Sequence, residues 1–175
     1  VRSEALDAVR GDSMTLARAA LRALNPVQCQ EREIAMSDFY NRWKDRPVIL
    51  DAWFSLEASI PREDALKRVG ELLEHPLFDP MAPNAIRAVL RGFSLNTKAF
   101  HSIDGSGYTF LADQIADLDK RNPIIASSMT RLFSRWRSYI TINSDAMYKE
   151  LVRLSESDLS TNTRELVELI ICTDV

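Results

Sequence analysis

Four residues have the widest chemical repertoire in this chain: His75, His101, Cys29 and Cys172. Zinc hydrolysis needs imidazole and carboxylate ligands at fixed geometry, as in His-Glu-x-x-His on a helix. Here a loop and a helix divide the two histidines, so no metal ligand is expected within the chain. A cysteine nucleophile needs a histidine beside it. Cys29 stands near a helix start and Cys172 on an apolar face, and both read as small, reduced hydrophobes. Asp104-Gly105-Ser106-Gly107 has glycines suited to a phosphate cradle. It lacks the lysine and the preceding strand of a P-loop, and reads as a turn that starts a helix. No acid–base pair or nucleophile constellation is visible, and no catalytic residue is assigned. Arginines offer binding chemistry instead. Arg87 falls in the first turn of an expected helix, where the positive dipole end disfavours a cation, and this misfit points to an outside carboxylate. Arg131, Arg135 and Arg137, beside Trp136, suit an acidic partner, but read more simply as a solvated face whose stems cover the core.

The elements that must hold these residues are helices. The chain has five glycines and no alternating run of β-branched residues, which argues against strands. Asp12 or Ser13 caps a helix with Ala17, Ala20, Leu21 and Leu24 on one face, ended by Asn25-Pro26. A second helix, over 28–44, carries Met36, Phe39, Tyr40 and Trp43. The third, over 48–59, is apolar almost all round, which marks a central helix. A fourth covers 62–74 with Ala65, Val69, Leu72 and Leu73 inward, and the proline-rich stretch 75–83 is a loop. Asn84 caps a fifth, lined by Ile86, Val89, Leu90 and Phe93. After the glycine turn, Tyr108, Leu111, Ala112, Ile115 and Leu118 recur at helical spacing. Asp117 and Asp119 oppose the dipole at that helix's end, and Lys120 and Arg121 offset them. Asn122-Pro123 restarts a helix with Asn122 as cap. Ile125, Met129, Leu132, Phe133 and Trp136 then lie on one side. Two more helices cover 144–155, lined by Met147, Leu151 and Leu154, and 161–172, lined by Leu166, Leu169 and Ile170. About eight or nine short helices with tight connectors suit a compact bundle or a stack of antiparallel pairs, and short loops favour the stack. The fold class expected is all-α: antiparallel helix pairs stacked into a curved superhelix, a HEAT/armadillo-like α-solenoid, as a single domain over 1–175.

Composition bounds the partners. The chain has 175 residues, 46% hydrophobic and 27% charged, the profile of an ordinary globular protein. A net charge of −3 argues against nucleic acid or an anionic membrane as the main partner. No apolar run approaches the roughly 20 residues that span a bilayer. The charged start VRSEALDAVRGD lacks an apolar signal core. The compartment of the parent protein is unknown from sequence, with a cytoplasmic location favoured. The chain begins on Val1, which suggests a piece of a longer protein.

Several segments together resemble the bacterial-type aminopeptidase N family of zinc metallopeptidases. The run Phe100-His101-x-x-Asp104-Gly105-Ser106-Gly107-Tyr108-x-Phe110-Leu111 resembles a signature near that family's C-terminus. Leu118-Asp119-x-x-Asn122-Pro123-x-x-Ala126 and the stretch from Arg131 to Tyr139 continue the likeness. Upstream, Asp38-Phe39-Tyr40-x-x-Trp43, Asp51-x-Trp53-Phe54 and Pro83-Asn84-x-x-Arg87 with Phe93 are similar to the same domain. The resemblance implies a C-terminal helical domain that closes over a catalytic domain of the same polypeptide and leaves a channel for peptide substrates. It also implies that the zinc, its ligands and the catalytic glutamates lie in an earlier domain. The fragment is then inert alone and holds no cofactor itself. Two arginines of this domain face the substrate cavity in bacterial members. One maps to Arg87; the other position is Ser128 here, a departure that removes a long cationic donor. The alternative function is a free-standing helical scaffold that binds a protein segment, with Trp43, Trp53 or Trp136 as an exposed anchor; burial of all three is the simpler expectation.

Overall fold

The computed structural model describes residues 1–173. Among them are eleven α-helices and two 3-10 turns, with no strand. Two units follow one another along the chain, Val1–Asn96 and Thr97–Val175.

The first unit holds α1 (Arg2–Arg10), α2 (Met14–Leu24), α3 (Gln30–Trp43), α4 (Pro47–Ser59), α5 (Ala65–Leu73) and α6 (Pro83–Leu95). Ser13 caps α2, its hydroxyl accepting from the Leu16 N–H at 3.4 Å. The helix α1 is absent from the sequence reading. Only Val9 of it is buried, so it has too few apolar positions to show a period. It is held from outside: Arg10 pairs with Asp38 at 2.7 Å, and Arg42 donates to the carbonyls of Arg10 and Gly11 at its C-terminal end.

The expectation for 48–59 holds. Leu50, Trp53, Phe54 and Ala58 of α4 are buried, while Val48 is exposed. The pair α4 and α6 packs more extensively than any other described pair of elements. Gly92 permits this approach, because a Cβ there would lie 2.7 Å from the Ser55 carbonyl oxygen. The α6 start differs from the expected one. Pro83 occupies the first turn and Ala82 the cap, so Asn84 is inside the helix and caps nothing.

The second unit holds α7 (Thr97–Phe100), α8 (Ser106–Arg121), α9 (Pro123–Thr130), 3-10 turns at Arg131–Phe133 and Trp136–Ser138, α10 (Thr141–Ser155) and α11 (Thr161–Cys172). The glycine turn forms as expected, with Gly105 at φ 73°, a left-handed position that favours glycine. Tyr108, Leu111, Ala112, Ile115 and Leu118 are all buried. Asn122 caps α9, accepting from the Ile125 N–H at 3.2 Å.

Two expectations fail here. The helix expected to run from Asn122 past Trp136 stops at Thr130 and continues as two 3-10 turns. A tertiary anchor accompanies the break: Trp136 Nε1 donates to the Ile170 carbonyl at 3.1 Å. The face of α11 is also rotated. Thr163, Val167 and Ile170 are buried, while Leu169 is 59% exposed. The reason lies in Asp119, which accepts from the Thr163 hydroxyl and from the Ser160 backbone N–H and hydroxyl. These bonds fix the rotation of α11 at its first turn. Asp119 therefore serves the N-terminus of another helix and does not merely oppose its own dipole.

Candidate functional site

Arg87 sits on α6. With Pro83 as the first helical residue, it falls just beyond the first turn, so the dipole misfit expected from sequence is smaller. Its guanidinium makes a long hydrogen bond, 3.5 Å, to Asn84 Oδ1. Among the described residues it pairs with no carboxylate. An outward guanidinium of this kind can take a carboxylate through two parallel N–H bonds. Ser128 lies half-buried on α9 in the second unit and is engaged with its surroundings. A hydroxyl there offers one donor on a short stem, where an arginine would offer a long cationic fork.

The basic stretch after α9 divides by role. Arg137 spreads over the C-terminal carbonyls of α11, donating to Ile170 at 3.2 Å, Ile171 at 2.6 Å and Thr173 at 2.7 Å. It also lies over the Trp136 ring at 4.1 Å. That is helix capping, so Arg137 leaves the basic face. Arg131 borders an apolar groove of about 240 Å³ with Leu166, Leu169 and Ile170. This is smaller than a typical ligand pocket of about 300–1,000 Å³. Of the tryptophans, Trp53 is buried, while Trp43 and Trp136 are half-buried, which corrects the expectation that all three are core.

The buried polar groups form structural networks. In the first unit, Arg32 donates to Glu57 at 2.8 Å and to Asn25 Oδ1 at 3.1 Å. The other oxygen of Glu57 accepts from Arg68 at 2.6 Å and 3.0 Å. Glu57, a charge inside an apolar helix, was the one sequence signal for this network, and it was missed. Arg32 Nε and Trp53 Nε1 are buried without a hydrogen-bond partner, so the network is not fully satisfied. In the second unit, Asn143 donates to the Tyr108 hydroxyl at 2.9 Å and to the His101 carbonyl at 3.1 Å. The hydroxyl is left to donate to His101 Nδ1 at 2.6 Å. Burial pushes the Tyr108 phenol up and the His101 imidazole down, so both stay neutral near pH 7. This pairing positions α7, α8 and α10 and presents no nucleophile.

The donor chemistry does not fit zinc. Among the described residues no group of three or more His, Cys, Asp or Glu side chains could hold a metal. His101 is engaged by Tyr108, and His75 accepts the Leu77 N–H at Nδ1. No helix of the described residues is long and apolar enough to cross a membrane.

A family model described as a domain of unknown function, DUF3458_C, with ARM repeats matches residues 3–171. Aminopeptidase N of Caulobacter vibrioides is 39% identical over 137 residues, which cover 77% of this chain and 16% of the relative. Aminopeptidase N of Escherichia coli is 35% identical over 144 residues, covering 82% and 17%. A crystal structure of Legionella pneumophila aminopeptidase A in complex with aspartic acid matches 97% of this chain and 20% of that one, with TM-score 0.88 and 32% identity. The chain spans about a fifth or less of the length of these proteins.

Proposed function

From a chain that belongs to the DUF3458_C family of ARM-repeat domains, and is a C-terminal domain of aminopeptidase N, we propose a domain that shapes and restricts peptide access to the active site of a zinc-dependent aminopeptidase. The whole protein removes N-terminal residues from peptides. The catalytic domain lies elsewhere in the same polypeptide and holds the zinc. The region 1–175 acts as one module, and its own contribution is shape and charge. Arg87 and Ser128 line the route that the peptide takes.

The observation that carries this reading is the match of an all-helical chain to a small share of the length of aminopeptidases. The guanidinium of Arg87, held only by a long bond to Asn84 and paired with no carboxylate among the described residues, supports it, because a peptide brings carboxylates that such a group can hold. The test is Arg87→Ala in the full-length enzyme. The expected outcome is a several-fold change in KM, or a changed preference for peptide length, with the fold intact by circular dichroism. Ser128→Arg is expected to shift preference toward peptides with acidic side chains. If both variants keep wild-type kinetics on short and long peptides, these residues do not line the route.

A further inference from the structure

The stretch 74–82 joins α5 to α6 and is proline-rich, yet it is held down at two places. Phe78 packs edge-on against Phe54 of α4, with ring centroids 5.7 Å apart. His75 inserts among Tyr40 of α3 and Trp53 and Phe54 of α4, with centroids 5.7, 5.7 and 5.4 Å away. Its Nδ1 accepts from the Leu77 N–H at 3.1 Å, which places the ring proton on Nε2, 3.4 Å from the Tyr40 hydroxyl. The imidazole thus fastens the stretch in its neutral form, by a lone pair that protonation would consume.

We propose that His75 is a proton-operated latch. Neutral, it pins 74–82 onto α3 and α4 and so fixes the first turn of α6; protonated, it releases both. The surrounding groups point the same way. Tyr40 is the titratable group from α3. Arg68 of α5 is the cation that acts on His75, and it lies over the Trp53 ring at 5.9 Å. Glu57 of α4 is taken up by Arg32 and Arg68, and Glu71 of α5 by Lys67 and Arg68. An imidazolium at this place meets a neighbouring cation and loses its acceptor. Burial first, then the Arg68 charge, holds the His75 pKa below the ordinary value of 6.5. Release is therefore driven as pH falls below about 6.5, toward the lowered value of the latched state. Arg87 follows directly on the turn that the latch fixes. The inference stands whether or not Arg87 meets a peptide.

The test is hydrogen exchange by mass spectrometry on the full-length protein, corrected for the intrinsic effect of pH. Protection of peptides covering 74–86 is expected to fall as pH drops below about 6.5, by at most about tenfold per pH unit, and to level off below the lowered pKa of the latched state, while peptides from α2 keep theirs. His75→Asn keeps an acceptor for the Leu77 N–H and removes the titration, so its protection is expected to stay high and flat. His75→Phe keeps a ring and removes the acceptor, so protection is expected to be low at every pH. A wild-type profile that is flat from pH 7.5 to 5 overturns the proposal, with or without folded variants. So does a His75→Asn profile that tracks the wild type.

Discussion

Asp119 stands near the end of α8 and is buried, yet it stays charged. Burial alone pushes its carboxyl up. The bonds from Thr163 and Ser160, with the charge of Arg164, outweigh that and hold it below the usual carboxylate range. A depressed folded pKa means that the stabilisation is fully present above the unfolded value of about 3.9, and is lost as pH falls from there through the folded value. Asp119→Ala is expected to cost about 2 kcal/mol at pH 7, the scale of hydrogen bonds to a charged group. Urea unfolding of both proteins at pH 7 and near pH 3 checks this. The gap between them is expected to narrow at the lower pH. An equal gap at both would show that the carboxylate charge contributes nothing. Nothing in the spacing around Asp119 announces this role, because its partners Ser160 and Thr163 lie 41 and 44 residues away, at the cap and first turn of α11.

At the scale of elements, two glycines make opposite demands. Gly92 lets α6 meet α4, and an added Cβ would collide with the Ser55 backbone, which cannot swing aside as a flexible side chain would. Gly70 in α5 has nothing within 4 Å of such a Cβ. Gly92→Ala is expected to destabilise the protein by about 1–3 kcal/mol through overpacking. Gly70→Ala is expected to stabilise it by about 0.5–1 kcal/mol, since alanine restricts the unfolded chain and suits a helix. Thermal unfolding followed by circular dichroism reads both signs. If Gly92→Ala leaves the melting temperature unchanged, the close approach of α4 and α6 is not what it constrains. The same contrast explains which helices were legible. The helices α2, α4, α6 and α8 carry dense apolar faces, and each starts at a local signal: the Ser13 cap, Pro47, Pro83 and the left-handed Gly105. The helix α1 has one buried residue and borrows its C-terminal cap from Arg42 on α3, a long-range debt that no local pattern records.

For the whole molecule, the proposed division of labour gives a direct outcome. The 175-residue chain by itself is expected to release nothing from an aminoacyl reporter amide. Adding it to the remainder of the enzyme is expected to restore or change peptide turnover. Zinc-dependent hydrolysis by the pure chain, persisting after contaminating peptidases are removed, would sink that division. Sequence by itself determined that the chain is helical, where most helices start, and which family it resembles, because caps, prolines, glycine turns and the 3.6-residue period act within a few residues. Arg87 and Ser128 were reached through that resemblance alone. Only the tertiary structure decided that α9 breaks at Thr130, that α11 turns Leu169 outward, and that Glu57 and Asp119 are buried. Each of those depends on partners distant along the chain, and a buried charge or a rotated face is settled by what packs against it.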